Sequence, residues 1–536
     1  MGRHGLRHKP VLTREDMREL DRVTIEGGVP SIDLMERAGE QVTAAIVEEL
    51  PRLEPVPESS PSAFVLAGPG NNGGDGFVVA RLLAARGWDV TVGLCAREPE
   101  PDSDPGVNLR RWRDLGGEII DTHASLARLA RPRAATIAVD ALFGTGLVRP
   151  LEGDYHDLVS ALNDGSTPVV SVDTPSGLCA NTGMPLGVAV FARLTVTLGA
   201  AKPGLFCGVG PNHAGRVVVA DIGLRSPQEA GIVPVGELID ADACAAWLPH
   251  RHRMAHKGEL GHVLIVGGSL GKCGAVLLAA RAALRGGSGL VTMAVPDIVA
   301  AQADTSLVEA MTLALPATSE GELAGSAWRR LSSQAARFDA AVVGPGMGTG
   351  RGAAALALGM IESFGGALVI DADALNVLAS DRKTAAAAFA ERARAGLGPV
   401  IATPHPGEMG RLLGRSSASV QEDRLDAVRR FCSDYAATVV LKGAGSIVSD
   451  GRRTGFNTSG NPGMASAGMG DVLAGLVATF AVQRSDPFEA ATLATFIHGA
   501  AGDLLAERRR APGFLAGEVA DAVPEAVAAI GKTLPA

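Results

Sequence analysis

The feature that most constrains this chain is one repeated unit: a short apolar run that ends in a turn of Gly, Asp, Ser or Pro and gives way to a helical stretch. The runs Ala63–Ala67, Val90–Leu94, Thr136–Val139, Val169–Val172, Leu194–Leu198 and Val217–Val219 have the length and β-branched content of strands. Strands joined through helices pair side by side in one direction, so a parallel, doubly wound α/β sheet is predicted. The pattern then stops and restarts. His262–Val266, Val342–Val343, Leu368–Ile370, Val400–Ala402 and Thr438–Leu441 form a second series. A chain of 536 residues has room for two such domains. The polar, Pro-containing stretch after Leu224 separates them, which places the domains at 11–224 and 241–534 with a linker at 225–240. Ahead of the first series, Thr13–Leu50 is predicted as two helices broken at Gly27–Pro30, with Thr13 and Asp16 as a capping pair. A Pro- and Glu-rich connector follows at Pro51–Pro61.

Charge and cysteine usage exclude several classes of function. With 49 basic and 58 acidic side chains the net charge is -9, so no basic surplus points to nucleic acid or an acidic membrane. The amino-terminal MGRHGLRHKP is basic but leads into TREDMRELDR rather than an apolar stretch, which is unlike a secretory signal. The longest apolar stretches are cut by arginines, as at Arg281 and Arg285. The six cysteines are scattered without a C-x-x-C pair, as expected for idle thiols in a reducing cytoplasm. Small-molecule substrates and a cytoplasmic homo-oligomer are the expectation.

Polar residues concentrate where the strands end, which is where ligands bind in open α/β sheets. In the first series the ends carry Gly68-Pro-Gly-Asn-Asn-Gly-Gly-Asp-Gly76, read as a loop before a helix near Phe77–Arg86, then Asp140 before Gly144-Thr-Gly146, and Asp173 before Thr-Pro-Ser176-Gly177. The first loop matches G-x-G-x-x-G, but the next strand closes on Cys95 rather than on an acidic residue, against a dehydrogenase. Three carboxylates, Asp75, Asp140 and Asp173, are expected together at one sheet edge with only oxygen donors around them, a set suited to a hard cation. In the second series the ends carry Gly267–Gly274, Gly344–Gly348, Asp371-Ala-Asp373, Thr403-Pro-His-Pro-Gly-Glu408 and Lys442–Ser446. Lys442 followed by Gly-Ala-Gly-Ser is expected to face phosphate. The richest stretch is Asn457–Phe480, a Gly/Ser/Asn loop that feeds an apolar helix from Val472. Free N–H groups at such a helix entrance favour an anion, and Asp471 at its mouth is either a cap or a general base beside a phosphate cradle.

These runs, with Leu34-Met-Glu-Arg-Ala-Gly39 in the first half and Asn461-Pro-Gly-Met-Ala with Gly470-Asp471 in the second, resemble the NAD(P)H-hydrate repair enzymes, an epimerase domain fused to a dehydratase domain. The resemblance implies a Rossmann-like three-layer α/β/α first domain and a ribokinase-like second one. It implies that the first interconverts the R and S hydrates of NADH and NADPH. The second phosphorylates the S hydrate with ADP or ATP, accompanied by Mg2+, and then releases phosphate. On the matching positions, Asn71, Asn72, Gly73, Gly74, Asp75, Gly144, Thr145, Gly146, Leu147, Val148, Arg149 and Pro150 would hold the hydrate, with Asp173 near the reacting ring. Asn72, Asp140 and Ser176 would coordinate potassium. Ala275, Gly346, Gly348 and His405 would line the hydrate in the second domain, with Lys442, Gly443, Ala444, Gly445, Ser446 and Gly470 on the nucleotide and Asp471 as base. Two readings compete: a small-molecule kinase of the ribokinase group, since a Gly-x-Gly-Asp helix entrance serves any hydroxyl phosphorylation, which leaves the first domain unexplained; and a first domain that is a catalytically idle binding or scaffolding module, against which the retention of Asp140, Asp173 and both asparagines argues.

Overall fold

The computed structural model describes residues 9–53, 60–131 and 135–531. The basic residues 1–8, residues 54–59 of the expected connector and the end of the second domain from 532 onward lie outside that description. The chain divides into two compact units, Lys9–Glu237 and one that begins at Leu238.

The first unit is built on a seven-stranded sheet in the order Glu118–Asp121, Asp89–Leu94, Ser62–Ala67, Ile137–Ala141, Val169–Val172, Leu194–Leu198, Arg216–Ala220. Every neighbouring pair is parallel, as the helix-spaced strands require. Both faces of the sheet are covered. Val65, Val92, Val139 and Val196 pack on one side with Phe77 and Leu83, while Phe64, Leu66 and Ala138 pack on the other with Leu158 and Leu162. The two predicted amino-terminal helices are Arg14–Glu26 and Ser31–Leu53, and Thr13 and Asp16 form the capping box reciprocally.

The second unit carries a larger sheet. Its parallel part runs Met311–Leu315, Leu290–Pro296, His262–Val266, Ala340–Val343, Ala367–Ile370, Val400–Ala402, Thr438–Leu441, and it continues into the antiparallel strands Ile447–Ser449 and Thr454–Asn457. The helices Cys273–Gly286 and Met469–Gln483 lie so close that a methyl group at Gly475 would come within 2.1 Å of the Ala279 carbonyl oxygen. Only glycine permits that approach, and it brings the entrance of the second helix onto the strand ends. The stretch expected as a linker, 225–240, holds the strand Gly236–Ile239, and the helix Ala241–Ala245 follows it.

One boundary differs in a way that matters for chemistry. The helix expected near Phe77 begins at Asn71, so Asn-Asn-Gly-Gly-Asp-Gly is the first turn and a half of helix rather than a loop before it. Asp75 is therefore a helical residue and not a strand-end one. The glycines in that run are dictated by packing. A methyl at Gly73 would meet the Gly68 carbonyl oxygen at 2.1 Å, and one at Gly74 would meet the Met35 side chain at 2.6 Å.

Candidate functional site

In the first unit the strand ends surround a cleft of about 600 Å³. Asn71, Asn72 and Asp75 enter it from the helix, Gly144, Thr145, Gly146, Leu147, Val148 and Arg149 from the loop after Ile137–Ala141, and Asp173 from the end of Val169–Val172. Gly73, Gly74 and Pro150 do not reach its wall.

Asp173 is held in a left-handed backbone conformation, φ 67°, which a non-glycine residue adopts at a cost and which occurs mostly at functional sites. Its Oδ1 accepts from the Lys202 Nζ at 2.6 Å, and its Oδ2 accepts from the Thr145 N–H and hydroxyl at 2.8 and 2.6 Å. Burial pushes the Asp173 carboxyl up, but the ammonium and these donors outweigh it and hold it below the ordinary carboxylate value. Lys202, only 1% exposed, spends its remaining protons on the Thr197 hydroxyl at 3.0 Å and the Leu198 carbonyl at 2.7 Å. Asp75 has the opposite fate. Burial and the charges of Asp173 and Asp21 push its carboxyl well above the ordinary value, so it keeps its proton.

Asp140 lies behind the cleft, completely buried, and accepts four hydrogen bonds: from the Ser176 N–H and hydroxyl at 2.9 and 2.5 Å, the Ser171 hydroxyl at 2.8 Å and the Leu142 N–H at 3.3 Å. Burial still raises its pKa above the ordinary value. The three carboxylates expected together are thus separated in role, one paired with lysine, one protonated, one hydrogen-bonded only to neutral donors.

In the second unit the centre is again a buried Asp–Lys pair. Lys442 Nζ lies 2.6 Å from Asp371 Oδ1 and 3.9 Å from Glu408 Oε2. The residue after Asp371, Ala372, is a second non-glycine residue in the left-handed region, φ 50°. Glu408 caps its own helix, Pro406–Leu413, by accepting from the His405 N–H at 2.8 Å, while the His405 imidazole accepts from the Gly407 N–H at 3.0 Å. His405 therefore opens the helix with its ring half-exposed beside this centre. Burial raises the Glu408 carboxyl to about 7, with Lys442 opposing and Asp371 adding to the rise.

Asp471 is the third residue of the helix Met469–Gln483, whose first N–H groups are free of intrahelical partners. Burial, then the carboxylates of Asp371, Asp373 and Glu408, raise it to about 7 against the pull of Lys442. That is the range in which a carboxylate both accepts a proton and loses it again near neutrality. A methyl at Gly470 would lie 3.1 Å from the Lys442 Nζ, so the helix entrance sits directly on the Asp–Lys pair. The loop before it is tied down by Asp503, which accepts from the Gly460 N–H and the Asn461 amide, both at 2.8 Å. Gly348 reaches the same region through its N–H to Asp373 Oδ2 at 3.0 Å, and a methyl at Gly346 would touch Ala275 Cβ at 3.3 Å. Lys442, Gly443, Ala444, Gly445 and Ser446 form one turn, held from behind by Arg424, which donates to the Leu441, Lys442 and Gly445 carbonyls.

Sequence reasoning missed Lys202, Asp21, Glu408 and Arg424 as parts of these sites. Lys202 carried the signal that singled out Lys442, a lysine soon after an apolar strand and followed by Gly. Arg424, in a helix remote in sequence from the turn it supports, carried none.

Comparison with known proteins agrees with this division. The chain is 39% identical over 521 residues to the bifunctional NAD(P)H-hydrate repair enzyme Nnr of Moorella thermoacetica, covering 96% of each chain. The chain belongs to the bifunctional NAD(P)H-hydrate repair enzymes. The enzyme of that name from Escherichia coli is 36% identical, over 91% of this chain and 88% of its own length. Two family profiles divide the match, the YjeF-related protein N-terminus at residues 31–204 and NAD(P)H-hydrate dehydratase at residues 263–525. The ADP/ATP-dependent NAD(P)H-hydrate dehydratase of Bacillus subtilis, co-crystallised with ATP/Mg2+, superposes with a TM-score of 0.46 and 25% identity over 55% of this chain and 98% of its own. Both halves of a repair enzyme are present, on a Rossmann-like and a ribokinase-like α/β framework.

Proposed function

We propose that the first unit interconverts the R and S hydrates of NADH and NADPH, and that the second dehydrates the S form at the expense of ADP or ATP. The observation that supports this reading is that each unit gathers polar side chains at its strand ends around a buried Asp–Lys pair 2.6 Å apart.

In the second unit Asp471 takes the proton of the hydrate's hydroxyl as its oxygen attacks the terminal phosphorus of the nucleotide. The phosphorylated oxygen then leaves as phosphate, a far better leaving group than hydroxide, and the ring double bond is restored. The N–H groups at the entrance of Met469–Gln483 and the turn Lys442–Ser446 are placed to hold the phosphates, and Lys442 offsets the negative charge. Ala275, Gly346, Gly348 and His405 would border the hydrate. Among the described residues no group of three His, Cys, Asp or Glu is arranged to hold a metal ion. Mg2+ fits as a companion of the nucleotide phosphates, where it would neutralise charge on the transferred group.

In the first unit Asp173, kept ionised by Lys202, and Asp75, kept protonated, form a base and an acid on one cleft. Behind them Asp140, Ser176 and Asn72 suit potassium. The buried Asp140 carboxylate has no cationic partner among the described residues, only neutral donors, and a monovalent cation would supply the missing charge. The test is activity against potassium concentration. Asp140→Ala is expected to weaken epimerisation and remove its potassium response while leaving S-hydrate dehydration intact. An unchanged response in the variant would refute the ion site.

Six cysteines without a disulfide support a reducing, cytoplasmic setting, and the expected homo-oligomer can be read by light scattering. The function itself is tested by incubating the protein with hydrated NADPH and ADP and following recovery of reduced-nicotinamide absorbance. Full recovery from a mixture of both epimers is expected. Phosphorylation of an added alcohol with no recovery would favour the small-molecule kinase instead.

A further inference from the structure

The cleft of the first unit contains one carboxylate that neither the family resemblance nor the reaction above has used. Asp21 lies on the helix Arg14–Glu26, where Arg14, Met17, Arg18, Asp21 and Ile25 recur at three- and four-residue spacing and form one wall of the cleft. No hydrogen bond or ion pair engages its side chain among the described residues. It faces Lys202 and Asp173 across the cleft, and its own charge acts on Asp75. The other charged groups on the wall are Arg14 and Arg18 on its own helix, Asp104, and Arg149 on the opposite loop.

Resting on the epimerase reading, the chemistry asks for a group in that place. The hydrate's hydroxyl sits on a carbon bonded to the ring nitrogen. Inversion without oxidation or reduction follows when the nitrogen lone pair forms a C=N bond as the C–O bond breaks, the hydroxyl leaving with an added proton as water. A water molecule then adds to the other face, gives up a proton, and the C=N electron pair returns to nitrogen. Leaving and arriving oxygens lie on opposite faces, so one group gives the first proton and another takes the second. Asp75 is the donor and Asp173 the acceptor. After one turnover the proton rests on Asp173 while Asp75 lacks one, a state competent only for the reverse conversion, so the site cannot turn over a second molecule of the same epimer until the two are exchanged.

We propose that Asp21 is the proton relay that resets the cleft, carrying the proton released at Asp173 back to Asp75 by exchange with water at the mouth. It is within electrostatic reach of both and still meets solvent, whereas Asp75 is 7% exposed. Although its side chain is exposed at the mouth, the cleft beside it and the Asp173 charge, opposed by Lys202, hold its carboxyl above the ordinary value.

The test is Asp21→Asn in the full chain, assayed for interconversion of R and S hydrates at constant ionic strength and rising imidazole. A lost relay slows turnover at low buffer by ~10-fold or more, leaves KM for the hydrate within about twofold, and is rescued in proportion to the imidazole, which carries protons in its place. Wild type is expected to ignore the added buffer. An undiminished kcat, or a loss that imidazole does not relieve, overturns the relay. Asp21→Glu guards against a folding defect: it keeps the carboxyl and should keep buffer-independent turnover, and a glutamate variant as slow as the asparagine one also overturns the proposal. A wild-type chain with no epimerase activity would sink the epimerase reading instead.

Discussion

The two polar centres are built alike and tuned apart. Each places an aspartate at the end of a parallel strand, Asp173 or Asp371, against a lysine ammonium 2.6 Å away, with a strained left-handed residue at the same turn. Each then brings up a glycine-rich helix entrance bearing a second aspartate, Asp75 or Asp471. The difference is depth. Asp75 is the fifth residue of its helix, sealed from water and without a cationic partner, so it starts the reaction protonated, as an acid. Asp471 is the third residue of its helix and partly open, and Lys442 draws it back to about 7, so it can take one. Two residues of helical register separate an acid from a base. Both centres have a pairing lysine, but only Lys442 acts on the second carboxylate as well, and that together with the depth of burial sets the two apart.

The largest expected effect comes from breaking the base. Asp471→Asn keeps the shape of the side chain but cannot accept a proton, so dehydration should fall by a factor on the order of 100 or more, while epimerisation in the other unit persists. Full dehydratase turnover in a folded variant would remove Asp471 from the mechanism and the comparison with it. A smaller effect sharpens the electrostatics. The Glu408 carboxyl, raised to about 7 in the folded chain, binds a proton more tightly folded than unfolded. Its contribution to stability is therefore complete below its unfolded value near pH 4.5 and is lost as pH rises through about 7, a change of roughly 3 kcal/mol. Calorimetry between pH 4 and 8 should show the transition of the second unit falling with pH in wild type. Glu408→Gln should flatten that fall, with the part due to Asp471 remaining. Parallel curves for the two proteins would mean that Glu408 titrates normally.

Much of this was legible in the sequence because periodicity survives without context. All six strands predicted in the first domain and all five in the second are present. Leu290–Pro296 was missed although its apolar run carries the strand signal; others that escaped lack it, Glu118–Asp121 being a short polar edge strand, Met311–Leu315 a half-exposed one, and Ile447–Ser449 and Thr454–Asn457 brief strands of a hairpin. The site residues on glycine-rich turns were visible because glycine marks close approach. Asp75 was visible as a carboxylate but misplaced as a loop residue, since Asn-Asn-Gly-Gly-Asp-Gly has poor helix propensity and forms helix only because Gly73 and Gly74 let it press on Gly68 and Met35. Lys202, Asp21 and Arg424 act across the fold. Lys202 stands 29 positions from Asp173, Asp21 meets Asp173 and Lys202 only across the cleft, and Arg424 lies behind the turn it holds, so only the packed structure brings them together.

The central claim is that each cleft is a complete catalyst for one step, coupled to the other only by the hydrate they share. It is tested most directly with two full-length variants, Asp173→Asn and Asp471→Asn, given a mixture of R and S hydrates of NADPH with ADP. Absorbance at the reduced nicotinamide is followed beside the spontaneous epimerisation rate. Asp173→Asn alone should restore the S fraction and stall, Asp471→Asn alone should restore nothing, and the two together should carry the mixture to completion as the free hydrate passes between them. Completion by Asp173→Asn alone beyond the spontaneous rate, or a stalled mixture of the two, would contradict the account.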